Sequence, residues 1–175
     1  FYEVLGSRYI LYGEWMYAKH TIYYDALPHY FMEFDILDRE TGRYLDTATR
    51  HAMLAGLPVC SVPVLSQRSF HTLEELQKLL GPSNYITPQH MEHLAVYCDQ
   101  HGEDTATRLA ETDTSTTMEG LYIKVEAGGE VIDRMKFVRA SFLQTVATSE
   151  THWLNRPIIP NQLTRPLEAL YEATL

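Results

Sequence analysis

The stretch MEGLYIKVEAGGEVIDRMKFVR, from Met118 to Arg139, has the pattern of a β-hairpin with charges in unusual places. Two segments rich in β-branched and aromatic residues flank AGGE, whose adjacent glycines supply the positive φ that a tight reversal needs. Ionisable residues interrupt the apolar positions, because Glu119 is in line with Leu121, and Lys136 is in line with Val138. A charge among apolar neighbours has to be paired or has to serve a ligand. The hairpin therefore predicts either a cross-strand ion pair or a binding site.

Further strands are predicted in the first half of the chain. Aromatic and aliphatic residues cluster from Tyr2 to Tyr24, most densely in RYILYGEWMY, and predict one strand. A continuous apolar run with embedded acids, Tyr30 to Asp38, predicts a second strand, and RETG then turns the chain into a hairpin with RYLD. The segment VCSVPVL predicts a return to β structure.

Capping residues predict the helices between these strands. Asp46 or Thr47 is suited to cap one helix, and Thr72 with Glu75 has the capping-box spacing of another. The helices are expected over 48–55, over LEELQKLLG, and from Pro88 to about Arg108. The sum is an α+β fold of antiparallel β-sheets with flanking helices, followed by a tail with a short helix, an extended crossing and a final helical turn.

Composition limits the classes of function. The formal net charge of -9 argues against a basic coat for non-specific duplex binding, so any nucleic-acid contact is expected to be local. No apolar run of about 18 residues or more and no leader are present, which predicts a cytoplasmic protein without a membrane partner. Cys60 and Cys98 lie among apolar or helical residues and are predicted to be reduced thiols.

Acids and an aromatic residue stand out in the two N-terminal strand segments. By alternation Glu14 shares a face with Tyr12 and Ile10, so a pocket is a more natural place for it than open solvent. Phe34 lies between the acids Glu33 and Asp35, and from the pattern alone plain core packing is the favoured interpretation of its ring.

Four strings, LYGEW, MEFDILD, EGLYIK and RMKFVR, in this order and at these separations, resemble motifs III, IIIa, IV and V of the covalent nucleotidyltransferases. That superfamily contains the ATP-dependent DNA and RNA ligases and the mRNA capping enzymes. The likeness is greatest to the RNA ligase family, and AKHTIYY and HWLNRPIIPN add to it. The resemblance implies an ATP-grasp-like adenylation domain, which we expect over residues 1–140, with residues 141–175 as a tail that packs on it.

The resemblance also implies an activity and its residues. ATP would adenylate a lysine, AMP would pass to an RNA 5′-phosphate end, and a 3′-hydroxyl would then seal the strand. Glu14 would hydrogen-bond the ribose, Phe34 would stack on adenine, and Glu119 would hold Mg²⁺ or Mn²⁺. Lys136 would meet the α-phosphate and act in catalysis with Glu119. Lys124 and Arg134 complete the set of residues expected to bind the nucleotide.

Some assignments stay open at this stage. Alternation puts Lys124 on the face opposite Glu119, so Lys124 reaches phosphate only if the strand twists or bulges. Either Arg134 or Arg139 is the second basic residue of motif V, where lysine is usual. His20 and the helical pair His90 and His93 could be imagined as metal ligands, but a solvated helix face is the favoured interpretation of the pair.

The nucleophile of the family belongs to a Lys-x-Asp/His-Gly motif that does not occur here. Lys19, Lys78, Lys124 and Lys136 are the lysines of the sequence, and none begins that motif. We therefore expect the domain to be truncated, with the nucleophile on a segment ahead of Phe1. The alternatives are a nucleotide- or RNA-binding protein without catalysis, and a DNA ligase or capping enzyme; the last two are disfavoured because the tail is too short for an OB-fold.

Overall fold

A six-stranded sheet forms the centre of the computed structural model, which describes residues 1–148 and 156–171. The strand order along the sheet is β1-β2-β3-β6-β5, with antiparallel neighbours throughout this path, while β4 pairs with β2 in parallel. The α+β class predicted from the sequence is confirmed. The strands are β1 (Tyr9–Trp15), β2 (Phe31–Asp38), β3 (Arg43–Leu45), β4 (Cys60–Ser61), β5 (Gly120–Ala127) and β6 (Glu130–Val138).

Six α-helices and one 3-10 helix flank this sheet in the described residues. The predicted caps are present, since the Asp46 carboxylate accepts a hydrogen bond from the Thr49 amide at 2.8 Å and the Thr72 hydroxyl accepts one from the Glu75 amide at 3.2 Å. The α-helices are α1 (Tyr2–Leu5), α2 (Thr47–Leu54), α3 (Leu73–Gln77), α4 (His90–His101), α5 (Thr105–Ala110) and α6 (Ala140–Thr148), and the 3-10 helix spans Leu167–Tyr171.

The first predicted strand is wrong in its extent. Helix α1 precedes it and ends at Gly6, whose φ of 52° breaks the helix, and β1 covers only Tyr9–Trp15. After Trp15 the backbone bonds a C-terminal segment and not a strand, because the Lys19 amide donates to the Ile159 carbonyl at 2.7 Å. We call residues 16–30 the strap and residues 156–164 the crossing.

Two other predicted elements are shorter than the sequence suggested. The helix expected from Pro88 to Arg108 is divided into α4 and α5, because Gly102 adopts a left-handed φ of 71° and Asp104 then caps a new helix. VCSVPVL contributes only the two residues of β4, and Pro63 cannot donate to a further ladder.

The predicted hairpin is present as β5 and β6. Gly128 and Gly129 form its turn with φ values of 63° and 85°, which only glycine adopts without strain. Gly120 is required for a different reason, since a Cβ atom there would lie 1.9 Å from the carbonyl oxygen of Phe137 on β6. The close approach fixes the backbone at the point where Glu119 enters the sheet.

A buried cluster joins the strap to α4 and the crossing. Tyr23, Leu94, Cys98 and Ile159 form this cluster, and both cysteines are free thiols, Cys98 being buried. Asn161 also ties the crossing to the strap, because its side chain accepts from the Tyr24 amide at 2.9 Å and donates to the Met16 carbonyl at 2.7 Å. The strap is thus held to the crossing by both packing and hydrogen bonds.

The tail has the order of elements that the sequence predicted, although part of it lies outside the described residues. Helix α6, the crossing and the 3-10 helix follow β6 in turn. Trp153, which belongs to the HWLNRPIIPN string, falls outside the described ranges. Within the described ranges no helix combines the length and the apolar character needed to cross a membrane.

Candidate active site

Basic side chains converge on one buried acid on a face of the sheet. The register of the hairpin pairs Tyr122 with Lys136 and Lys124 with Arg134, so these four side chains share a face. Asp35 lies at the centre, where its carboxylate is 2.6 Å from the Lys124 ammonium and 3.3 Å from the Arg134 guanidinium. The Tyr122 hydroxyl donates to the same carboxylate at 2.6 Å. The buried Asp35 carboxylate therefore fixes the positions of the Lys124 and Arg134 cations, and we call this side of the hairpin the basic face.

Glu119 and Lys136 meet at the edge of this surface. The Lys136 ammonium is 3.4 Å from a Glu119 carboxylate oxygen, and the two side chains are 65% and 37% exposed. The expectation that Lys124 lies opposite Glu119 is wrong, because Glu119 precedes β5 and strand alternation does not govern its direction. An ion pair this exposed contributes about 0 to 1 kcal/mol to stability. Either side chain can therefore leave this ion pair and contact a ligand at little cost in free energy.

Phe34 occupies an irregular position in β2. Tyr12 pairs with Asp35 and the next residue, Gly13, pairs with Glu33, so the register passes over Phe34. A bulge of this kind re-aims the side chain of the unpaired residue. The half-buried Phe34 ring contacts Tyr122 edge-on, with centroids 5.5 Å apart, so it lies beside the basic face and not in the buried cluster.

A cavity of about 550 Å³ opens beside the Glu119–Lys136 pair. Glu14 and Glu119 both line it, although they are 105 positions apart in sequence. Glu14 lies near the end of β1, and Glu119 immediately precedes β5. Trp15, Tyr24, Arg156 and Asn161 also contribute to its wall. The structure thus brings Glu14 and Glu119 together at one hollow, while Phe34, Lys124, Arg134 and Lys136 lie outside its lining.

The two cavity carboxylates affect the phenol of Tyr24, which also lines the cavity. Burial raises the pKa of Tyr24 well above its ordinary value, and the negative charges of Glu119 and Glu14 raise that pKa further. Burial likewise raises the pKa of Tyr122 to about 12, with help from its hydrogen bond to Asp35. Both phenols are therefore hydrogen-bond donors at neutral pH.

The two arginines of motif V differ in their surroundings. Arg134 lies on the basic face, where its guanidinium is 3.8 Å from the centroid of the Tyr44 ring and bonds Asp35. Arg139 is buried and bonds Asp113 together with the Met118 carbonyl, the latter at 3.0 Å. Arg139 therefore fixes the start of the hairpin, whereas Arg134 is placed where a ligand could reach it.

Clusters of potential metal ligands are absent from the described part of the chain. No group of three or more His, Cys, Asp or Glu side chains that could hold a metal occurs there. The solvated-face interpretation of the histidine pair is wrong, because His90 is buried against the Thr87 carbonyl and His93 contacts Asp25 at 2.7 Å. Glu119 in the cavity wall fits Mg²⁺, which typically takes one or two carboxylates and completes its shell with water and phosphate.

Sequence analysis missed the roles of three side chains in this region. Asp35 was noted only as an embedded acid, and Tyr122 and Tyr24 were not singled out. The signal for Asp35 was available, since an acid in a buried strand requires cationic partners, and Lys124 and Arg134 are those partners. Nothing in the alternation of the strap marked Tyr24 as part of a cavity wall.

The antiparallel path with flanking helices is consistent with a nucleotidyltransferase-like ligase domain. The family model described as RNA ligase matches residues 1–138. The chain belongs to the RNA ligase family. Comparison with curated proteins and with solved structures returned no match.

Proposed function

We propose that this chain is part of an ATP-dependent RNA ligase that acts in the cytoplasm and joins RNA ends carrying a 5′-phosphate and a 3′-hydroxyl. The observation that carries the proposal is the Glu119–Lys136 pair, with 3.4 Å between carboxylate and ammonium, at a cavity that Glu14 also lines. An acid for a metal ion in the cavity wall and a cation for phosphate beside it, just outside the lining, suit nucleotidyl transfer, which is catalysed mainly by positioning and electrostatic stabilisation.

ATP would bind across the cavity and the basic face. Phe34 would offer its ring to adenine, since the bulge directs it away from the core, and Glu14 would accept a hydrogen bond from the ribose. The α-phosphate would lie against Lys136, with Lys124 and Arg134 behind it on the same face. Asp35 would hold these last two cations in fixed positions before the nucleotide arrives.

A divalent ion is part of the proposal. Glu119 would hold Mg²⁺, or Mn²⁺, together with the phosphate oxygens of ATP. When bound, such an ion neutralises charge on the phosphates and on the leaving pyrophosphate. Lys136, released from its pair with Glu119, would then donate hydrogen bonds to the α-phosphate.

We assign the nucleophile to a segment ahead of Phe1, because Lys19, Lys124 and Lys136 are otherwise engaged and the exposed Lys78, at the end of α3, does not line the cavity. Lys19 is buried and donates to the His20 carbonyl at 2.9 Å, and it does not line the cavity. Lys124 and Lys136 already pair with acids. In the proposed step a neutral lysine amine forms a bond to the α-phosphorus as the bond to pyrophosphate breaks, and AMP then passes to the RNA 5′-phosphate.

Covalent labelling of the full-length protein tests this function. The protein is incubated with α-labelled ATP and Mg²⁺, and we expect a labelled adduct that one lysine substitution ahead of Phe1 abolishes. The adduct should transfer its label to a 5′-phosphorylated RNA. Reversible binding of ATP without any adduct would contradict the proposal and would favour the alternative of a nucleotide- or RNA-binding protein without catalysis.

A further inference from the structure

Three aromatic side chains form a row that starts at the cavity wall with Trp15. The ring centroids of Trp15 and Tyr30 are 6.1 Å apart, and those of Tyr30 and Tyr17 are 5.1 Å apart. Trp15 is 63% exposed and Tyr17 is 39% exposed, so the outer two rings present surface to solvent while Tyr30 supports them. We call Trp15, Tyr30 and Tyr17 the aromatic row.

The aromatic row is anchored to the crossing and adjoins the candidate active site. Trp15 follows Glu14 and lines the same cavity as Glu119. Tyr30 is anchored to the crossing, since its hydroxyl donates to the Asn161 carbonyl at 3.0 Å, and the Tyr17 carbonyl accepts from the Asn161 amide at 2.7 Å. The central ring, Tyr30, is thus held in place before a ligand binds, which reduces the entropic cost of binding.

The same cavity has a cationic wall. Arg156, whose side chain is 10% exposed, lines it and lies 3.7 Å from Glu111. Arg108 contacts the same carboxylate at 2.9 Å, and its Nε is buried without a hydrogen-bond partner. Two arginines thus share one acid behind the wall. Burial and the charges of these arginines lower the pKa of Lys19 to about 8.

We propose that the aromatic row is the subsite for the unpaired bases of a single-stranded RNA end, with a phosphate of that strand facing Arg156. The inference rests on the proposed function, because it assigns an RNA strand to the row beside the same cavity. Stacking on exposed rings recognises bases without reading their sequence. The bases of a duplex are already stacked and present no free face, so the row favours unpaired ends.

A single-stranded RNA is the partner that fits both features. Net charge of -9 leaves little long-range attraction for phosphate, so affinity has to come from local contacts such as stacked rings and the cation-backed wall. A protein partner would gain from a continuous apolar patch, whereas here two exposed rings flank a cavity lined by carboxylates and an arginine.

Binding of a labelled RNA to the full-length protein tests the subsite. A fluorescent single-stranded RNA of about 12 nucleotides is titrated with protein, and anisotropy gives the affinity. We expect Trp15→Ala and Tyr17→Ala each to weaken RNA binding by about 5- to 150-fold, as for loss of one stacked base. Tyr2→Ala is the matched control, since Tyr2 is 83% exposed on α1 and lies outside the row. It should bind RNA like the wild type.

Two further measurements separate stacking from misfolding and from failure of the proposed function. Tyr17→Leu keeps apolar volume against Tyr30 but removes the ring, so it should stay folded by circular dichroism and still lose affinity. In a Trp153→Phe background RNA should quench the fluorescence of Trp15. Equal RNA affinity in Trp15→Ala, Tyr17→Ala and Tyr2→Ala, or stronger binding of a duplex, would overturn the inference. If ATP gives no covalent adduct yet RNA binding depends on the row, the proposed function fails and the subsite stands.

Discussion

Asp35 and Glu33 are two positions apart in β2, and they pair with different cations. The register pairs Asp35 with Tyr12 and Glu33 with Gly13, which are consecutive on β1, so a bulge lies between the two acids. Asp35 therefore holds the basic face, while Glu33 forms a buried ion pair with Arg50 of α2. The residue types were visible in the sequence, whereas the bulge that separates them depends on pairing with another strand.

The ring of Phe34 is expected to matter for nucleotide binding. Phe34→Ala should weaken ATP binding by about 1 to 3 kcal/mol, the range for a lost base-aromatic contact. Phe34→Leu retains apolar volume and should lose a similar amount of binding with a smaller loss of stability. Calorimetric titration with ATP gives the first quantity and thermal unfolding the second. Full ATP affinity in Phe34→Leu would show that the ring serves packing alone.

Lys19 should make stability depend on pH in the alkaline range. Its pKa in the folded protein is about 8, below the ordinary value of 10.5, because burial disfavours the charged form. Between these two values the unfolded chain binds a proton that the folded chain does not, so stability increases as pH rises. The gain is at most about 3 kcal/mol.

Urea unfolding of Lys19→Met between about pH 8 and about pH 10 checks this dependence. The variant should lack the increase in unfolding free energy that the wild type shows over that range. Lys78→Met removes an exposed lysine at the end of α3 and should keep it. Parallel pH profiles of the wild type and Lys19→Met would rule out a strongly lowered pKa for Lys19.

Among the secondary-structure elements, the turns and caps set by neighbouring residues were predicted correctly, whereas the pairing of distant segments was not. The AGGE turn, the Asp46 cap and the Thr72 cap are short-range features, and all are present as predicted. The strand expected through Tyr24 fails because the strap bonds the crossing, a segment far along the chain. Periodicity reports which residues are apolar, but it does not report which distant segment will pair with them.

Gly120 is the residue on which the hairpin geometry depends most. In Gly120→Ala the new methyl group would meet the Phe137 carbonyl, a backbone atom, so the two strands must separate. We expect a loss of about 1 to 3 kcal/mol in unfolding free energy, together with weaker ATP binding because Glu119 shifts. Gly81→Ala is the control, since its Cβ would meet nothing within 4 Å. Equal stability of the two variants in urea unfolding would contradict this geometry.

At the scale of the whole molecule, four motifs that are far apart in sequence meet around one cavity and one face. Glu14 belongs to β1, Phe34 to β2 and Lys136 to β6, and Glu119 immediately precedes β5. The order and spacing of the motifs were sufficient to predict the family and the antiparallel fold. They were not sufficient to predict Tyr24 and Arg156 in the cavity wall, because the strap and the crossing are brought there by Asn161.

Titration calorimetry of the full-length protein with ATP and Mg²⁺ tests whether Glu119 and Lys136 face the phosphates of ATP and their ion. Glu119→Gln and Lys136→Met should each weaken binding at least about tenfold, because each removes a charge that faces the phosphates or their ion. Glu130→Gln is the matched control, since Glu130 forms an exposed pair with Arg43 at the far end of the same hairpin. Only this control should bind ATP like the wild type. Unchanged ATP binding in Glu119→Gln and Lys136→Met would rule out the proposed nucleotide site.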